Sequence, residues 1–184
     1  MSISSNYLDR LAVIHRQLGI APDYAATRQL IPQQEATLLT PVGLDTYDRD
    51  AFLIPAAANA WLSMQAAAVA EGIVLELVSA FRSVAYQQGL IARKMAKGLS
   101  MDDILLASAA PGFSEHHTGR AVDVTTPNVD VLEEIFETTQ AFAWLIAHAA
   151  EYGFHMSFPR ANPHGISYEP WHWAFAEVGQ DRVV

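Results

Sequence analysis

The sequence predicts an α+β domain with a small, mainly antiparallel sheet flanked by helices. At 184 residues and 51% hydrophobic, the chain has the size of one domain with a substantial core. Only 17% of its residues are charged, 10% are aromatic and mean hydropathy is +0.13, which excludes a disordered chain. Helical and strand-like segments do not alternate regularly, which argues against a doubly wound parallel fold.

Ser5 to Leu18 places Leu8, Leu11, Ile14 and Leu18 on one helical face, with Ser4 or Ser5 as cap and Gly19 as stop. From Ile20 to Tyr47 the pattern is broken by Pro22, Pro32, Pro41 and Gly43, the mark of a loop-rich arm. Residues 1–50 are therefore expected to form a helix and arm packed on a main domain of residues 51–184. Phe52 to Ala70 is uncharged and long enough for a membrane span. Its Pro55, Asn59, Ser63 and Gln65 and its many alanines point instead to a soluble helix from about Pro55 to Glu71. After Gly72, Ile73 to Ser79 is a β-branched run of strand length. Val84 to Lys97 reads as a helix closed by Gly98. Ser100 with Asp103 resembles a capping box for a short helix through Leu106. Ala109 to Phe113 is loop and Arg120 to Thr125 strand. Leu132 to Tyr152 reads as one long helix with Leu132, Ile135, Phe136, Thr139, Phe142, Ala143 and Ile146 on its stripe and Gly153 past its end. Strands at Phe154–Phe158 and Trp171–Phe175 close the pattern, joined by the loop from Pro159 to Ser167.

Lys and Arg total 11 against 20 Asp and Glu, a formal charge of −9 and an isoelectric point near 5.1. That sign is wrong for a protein that grips phosphate backbones, so no nucleic-acid partner is expected. The absence of cysteine excludes disulfides, thiolate metal sites and cysteine nucleophiles, leaving any metal to His, Asp or Glu. The first ten residues lack a basic segment followed by an apolar one, so the expected location is cytoplasmic with no membrane partner.

Of seven histidines, His15, His148, His155 and His164 read as surface or satisfied core residues. His116 and His172 stand in richer company. The first lies in Ser114-Glu-His116-His-Thr-Gly119-Arg-Ala-Val-Asp123, where a glycine lets the chain turn between a histidine and an aspartate in the next strand; the second lies three residues after Glu169. Two imidazoles and one carboxylate leave a fourth position open on a tetrahedral zinc, which a hydrolytic metal needs in order to hold and acidify water. Glu169 is placed to act as a general base beside it. A divalent cation less one carboxylate keeps a single positive charge, which ionised Glu169 neutralises.

Three separated motifs, Ser79-Ala-Phe-Arg82-Ser83-x3-Gln87, Ser114-x-His116-x2-Gly119-x3-Asp123 and Glu169-Pro-Trp-His172, resemble in order the signature of the VanY-type D-alanyl-D-alanine carboxypeptidases, zinc peptidases related to the hedgehog fold. The resemblance covers roughly Ala51 to Phe175, including Trp144-Leu and Tyr152-Gly-Phe154. It implies a hedgehog/DD-peptidase-like fold, one zinc held by His116, Asp123 and His172, and Glu169 as catalytic base. Arg82 would stabilise the scissile carbonyl's oxyanion or hold the substrate's carboxylate, and Gln87 and Ser114 would line the substrate cleft. Trp171 and Trp173 bracket His172, and Trp171 is assigned to the cleft wall. Phe81 stands where the family commonly has tyrosine and His117 where it commonly has glutamine. His117 reads first as an exposed neighbour of the site, otherwise as a partner behind the ligands or a third nitrogen near the metal.

The activity implied is zinc-dependent removal of the terminal D-alanine from peptidoglycan stem peptides. A cytoplasmic location favours L,D-carboxypeptidase action on recycled tetrapeptides over D,D-carboxypeptidase action on pentapeptides. The alternatives are an endopeptidase or D,D-dipeptidase of the same zinc class, which the loops at Pro159–Ser167 and Ile20–Thr46 would decide, and a non-catalytic metal-stabilised binding module, against which Glu169 argues.

Overall fold

A computed structural model describes residues 3–177; the ends of both expected segments, residues 1–2 and 178–184, lie outside them. Helix α1 (Ser5–Leu18) begins at Ser4, whose side chain accepts the N–H of Tyr7, and ends at Gly19, as the spacing predicts. The alanine-rich segment forms α3 (Pro55–Ala70), with proline in its first turn where a missing N–H costs nothing. Among the described residues no helix is long and apolar enough to cross a membrane. Helices α4 (Val84–Ala96) and α5 (Met101–Leu106) are capped by Ser83 and Ser100, which accept the N–H of Tyr86 and of Asp103.

The arm is more ordered than its prolines predict. It contains a short α2 (Tyr24–Thr27) and a strand β1 (Thr40–Leu44) that pairs antiparallel with β2 (Asp50–Leu53). The register shifts between Pro41 and Leu44, so proline and glycine sit in an irregular edge strand, where a lost ladder bond is tolerated. The hairpin straddles the 50/51 boundary.

The long helix expected from Leu132 to Tyr152 is instead three pieces: a 3₁₀ turn at Glu134–Thr138, α6 (Gln140–His148) and a 3₁₀ turn at Ala149–Tyr152. Thr139 is extended (φ −86°, ψ 157°) and its side chain accepts the N–H of Phe142, so a residue placed on the helical stripe starts a new helix. Only part of that stripe is core: Phe136 is buried, whereas Ile135 and Ile146 are exposed.

Strands β3 (Glu76–Ser79), β4 (Ala121–Thr125), β5 (Phe154–Met156) and β6 (His172–Phe175) form one antiparallel sheet in the order β3-β4-β6-β5. Two hydrophobic cores flank the site. One joins Leu77, Val122, Val124 and Trp173 of the sheet to Trp61 and Met64 of α3 and Trp144 and Leu145 of α6. The other joins Leu11, Ile14 and Leu18 of α1 to Ile91 of α4, Ile104 and Leu105 of α5, and Phe113.

Candidate active site

Strand β4 is buried along its whole length, and its alternation turns Val122 and Val124 to the first core and Asp123 to the other face. The register sets Asp123 directly opposite His172 of β6 and Ser79 of β3, so two candidate ligands meet as a cross-strand pair. His116 arrives from the 3₁₀ turn Glu115–Thr118, which ends at Gly119 with φ +65°. A side chain there would meet Ile54 and Leu39 at 3.1 Å, so the motif glycine serves both the left-handed turn and close packing.

His116, Asp123 and His172 are buried, and each offers one ligand atom within 4.8 Å of the others. Nδ1 of His116 donates to the carbonyl of Ala80 at 2.6 Å, leaving Nε2 as a lone pair. That Nε2 is buried without a hydrogen-bond partner and faces Oδ2 of Asp123 at 3.2 Å. Two acceptors facing one another in a dry interior call for a cation between them. Nε2 of His172 donates to Oε2 of Glu115 at 2.8 Å, which turns Nδ1 toward Oδ1 of Asp123 at 3.0 Å. Two imidazoles and a carboxylate fit a zinc-type ion, each imidazole held by the hydrogen bond behind it.

The charges agree. Burial and Arg82 push His116 down to about 4. Burial opposes the charged form of Asp123, but His116, His172 and Arg82 hold its carboxyl well below the usual range. Burial likewise opposes ionised Glu115, which its bond to His172 brings down to about 2. Burial disfavours charged His172 as well, yet its two carboxylate partners raise it to about 10. Glu169 stands outside the triad, its Oε2 4.0 Å from Nδ1 of His172. Burial, opposed by His172 and Arg82, raises it to about 7, the value that suits a group gaining and losing a proton near neutral pH.

Arg82 has a terminal nitrogen 3.6 Å from Oδ2 of Asp123, and its buried Nε has no partner, so its fork keeps donors free. Gln87 donates from Nε2 to the carbonyl of Ala109, while its Oε1 is a buried acceptor without a partner. Arg82, Gln87, Ser114, Glu115, His116, Glu169 and His172 line one cleft together with Ala107, Ser108, Ala109, Phe158 and Ile166. Trp171 is not brought there and packs against the first core. Trp171 falls in the turn just before β6 and Trp173 within the strand, and both pack on that core rather than on the cleft.

His117 is fully buried, not exposed, and it is not aimed at the metal. Its Nδ1 donates to the carbonyl of Arg82 at 2.6 Å and its Nε2 accepts the N–H of Gly112 at 3.0 Å. It thereby ties the Arg82 segment to the loop before the ligand turn. Of the four histidines read as ordinary, His15 and His164 bond the carbonyls of Pro111 and Arg28.

Glu115 escaped the sequence reading although it stands between Ser114 and His116. An acidic neighbour of a ligand was its only signal, and its direction depends on the 3₁₀ turn. With Glu115 counted, the site gains a negative charge that Arg82 offsets.

An open set of two imidazoles and a carboxylate, with a free proton-carrying carboxylate beside it, is the arrangement of a metallohydrolase. The chain belongs to the VanY family, described as D-alanyl-D-alanine carboxypeptidase, whose family model matches residues 50–179. It is 31% identical over 179 residues to the Bacillus subtilis (strain 168) protein named "Putative carboxypeptidase YodJ", covering 95% of this chain and about 62% of that protein's length. Among solved structures it is similar to the LD-carboxypeptidase LdcB, with TM-score 0.68 and 30% identity over 78% of this chain and 70% of that one. It also shares the fold of a variant of the D,D-pentapeptidase VanY from a VanB-type vancomycin resistance cassette, crystallised with Zn(II), at TM-score 0.61 and 24% identity over 81% of this chain and 84% of that one.

Proposed function

We propose that the protein is a zinc-dependent carboxypeptidase that removes the terminal D-alanine from peptidoglycan stem peptides, with L,D-action on tetrapeptides preferred. The observation that carries the exopeptidase reading is the wall that the end of α5 and the late loop build along the cleft. Ala107, Ser108, Ala109, Phe158 and Ile166 line it. Behind them the N–H of Ser167 donates to Leu106, and Nη1 of Arg28 donates to the carbonyls of both Leu105 and Gly165. An arm residue thus staples the end of α5 to the late loop, and a chain running on past the scissile bond meets that wall. The likeness to LdcB supports the L,D preference.

His116, Asp123 and His172 would hold the zinc, which when bound supplies Lewis acidity toward water and the scissile carbonyl. Glu169 takes the proton of the attacking water at a carboxylate oxygen and delivers it to the departing amine, as its raised pKa allows. Arg82 directs its free donors at the scissile carbonyl oxygen, where negative charge develops. The buried Oε1 of Gln87 accepts an N–H of the peptide. Glu115 holds the tautomer of His172, and the cleft's apolar wall of Phe158 and Ile166 excludes water. The rest of the stem peptide lies along the groove on the other side of Arg82, lined by Arg49, Asp50, Phe52, Phe81 and Tyr86.

The test is mass spectrometry of the purified protein incubated separately with muropeptides ending in one D-Ala and in D-Ala-D-Ala, with and without chelator, beside Glu169→Ala. Loss of one alanine from the tetrapeptide, abolished by chelator, restored by zinc and absent in the variant, is expected. Shortening of the pentapeptide alone would replace the L,D preference with D,D, and cleavage of internal bonds would overturn the exopeptidase reading.

A further inference from the structure

Lys94 lies outside every motif singled out in the sequence. It stands seven residues after Gln87 on α4, hence two turns along on the same face, with fully buried Ile91 between them. Both polar side chains reach the same wall of the cleft. Gln87 donates to the carbonyl of Ala109 at 2.8 Å, and Nζ of Lys94 donates to Oγ of Ser108 at 2.7 Å. Ser108 donates its own O–H to the carbonyl of Ala107 at 2.7 Å and lines the cleft beside Arg82, Gln87 and Glu169.

Lys94 is half-buried, and no carboxylate oxygen of the described residues comes within ion-pair distance of it. In a chain with 20 acidic side chains against 11 basic ones, a half-buried cation without a counter-ion is costly to keep unless an anion arrives. Burial and Arg82 lower its pKa while Glu169 raises it, so its charge is felt by two groups of the cleft. An ammonium has three donors, and Ser108 uses one.

We propose that Lys94, positioned by Ser108, binds the free C-terminal carboxylate of the peptide and so makes the site select chain ends. This rests on the carboxypeptidase reading and divides the labour between two cations. A terminal carboxylate lies one residue, about 3.6 Å of extended chain, beyond the scissile carbonyl. Arg82, next to Asp123, takes the carbonyl, and Lys94, reaching the cleft wall at Ser108, takes the carboxylate as a compact point charge.

The test compares wild type, Lys94→Met and Lys94→Arg, all zinc-loaded, on a tetrapeptide ending in D-Ala and on its C-terminal carboxamide. Lys94→Met is expected to raise KM for the free acid about tenfold or more with kcat little changed, as for lost uniform binding. It should leave the carboxamide within about twofold, while Lys94→Arg should recover most of the loss. An unchanged KM for the acid, or equal losses on both substrates, overturns the proposal. Calorimetry with N-acetyl-D-alanine separates this from the wider reading. If the wild type cuts neither peptide, the carboxypeptidase assignment falls. Lys94 then stands if acetyl-D-alanine binding is lost in Lys94→Met, and falls if binding is absent from the wild type or unaffected by the substitution.

Discussion

Arg82 separates two hollows of unlike construction. On one side lies a cleft of about 40 Å³ lined by His116, His172 and Glu169; on the other, a groove of about 340 Å³ bounded by the β1–β2 hairpin and the start of α4. The cleft's polar groups are buried and fixed from behind. Ala80, Glu115 and the arm's Arg28 hold His116, His172 and the end wall respectively. The groove's ion pair is open on one side: Arg49 bonds Asp45 at 2.7 Å and Tyr86 at 3.0 Å, its own side chain about half exposed while that of Asp45 is nearly buried. The difference teaches where binding energy can act. Charges in the dry cleft can change a barrier, whereas a screened pair in the groove can only adjust how a peptide lies.

Perturbing the two sides in turn should expose that contrast. Glu169→Gln keeps the shape of the cleft and removes its proton carrier, so kcat is expected to fall on the order of 10²–10⁴-fold while zinc stoichiometry, read by atomic emission, stays near wild type. Comparable activity in the variant would assign the proton transfer elsewhere. Arg28→Ala releases the staple across the end wall. The expected loss in kcat/KM on the tetrapeptide is about tenfold, one hydrogen-bonded charge's worth, with new internal cleavage in longer peptides visible by mass spectrometry. Arg49→Ala works on the open groove, and a rise in KM of only about two- to fivefold with kcat preserved is expected, the scale of an exposed ionic contact. A kcat loss as large as that of Glu169→Gln would erase the distinction between the two hollows.

His117 offers a finer test, because it touches the backbone of Arg82 rather than substrate. Burial and the nearby Arg82 push it down to about 4, below its usual value near 6.5, so the unfolded chain binds the extra proton first. Between pH 6.5 and 4 the folded state therefore loses stability as pH falls, by at most about 1.4 kcal/mol per pH unit from this group. His117→Gln can still donate to Arg82 and accept from Gly112. Denaturant titrations with chelator present should show a flatter pH dependence in the variant, and identical slopes would remove His117 from the account. The smallest effect is expected of Phe81→Tyr on the groove wall, a change in KM under about threefold.

Much of this architecture was legible because it is local. Ser4, Ser83 and Ser100 announce their helices through bonds to the third residue on, which the sequence alone encodes. What misled was distant in origin. Pro41 and Gly43 break any local pattern, yet pairing with Asp50–Leu53 makes their segment a strand. The stripe from Leu132 to Ile146 is helical in period, but the capping hydroxyl of Thr139 divides it. His117 and Trp171 were misplaced because neither the inward direction of a 3₁₀ segment nor that of the turn before β6 can be weighed until the strands beside them are set.

By itself the sequence determined the chemistry available: no thiols, a His–Asp–His set with a spare carboxylate, and a glycine at the turn between ligands. Those choices are written in side-chain type and short spacing. The tertiary structure decided how that chemistry is held. The register of β4 against β6 sets Asp123 opposite His172, the Ala80 carbonyl selects the tautomer of His116, and Arg28, far from the triad in sequence, ties the end of α5 to the late loop. Such contacts join residues tens of positions apart, so they form only once two cores have packed around the site, and no local pattern carries their signal.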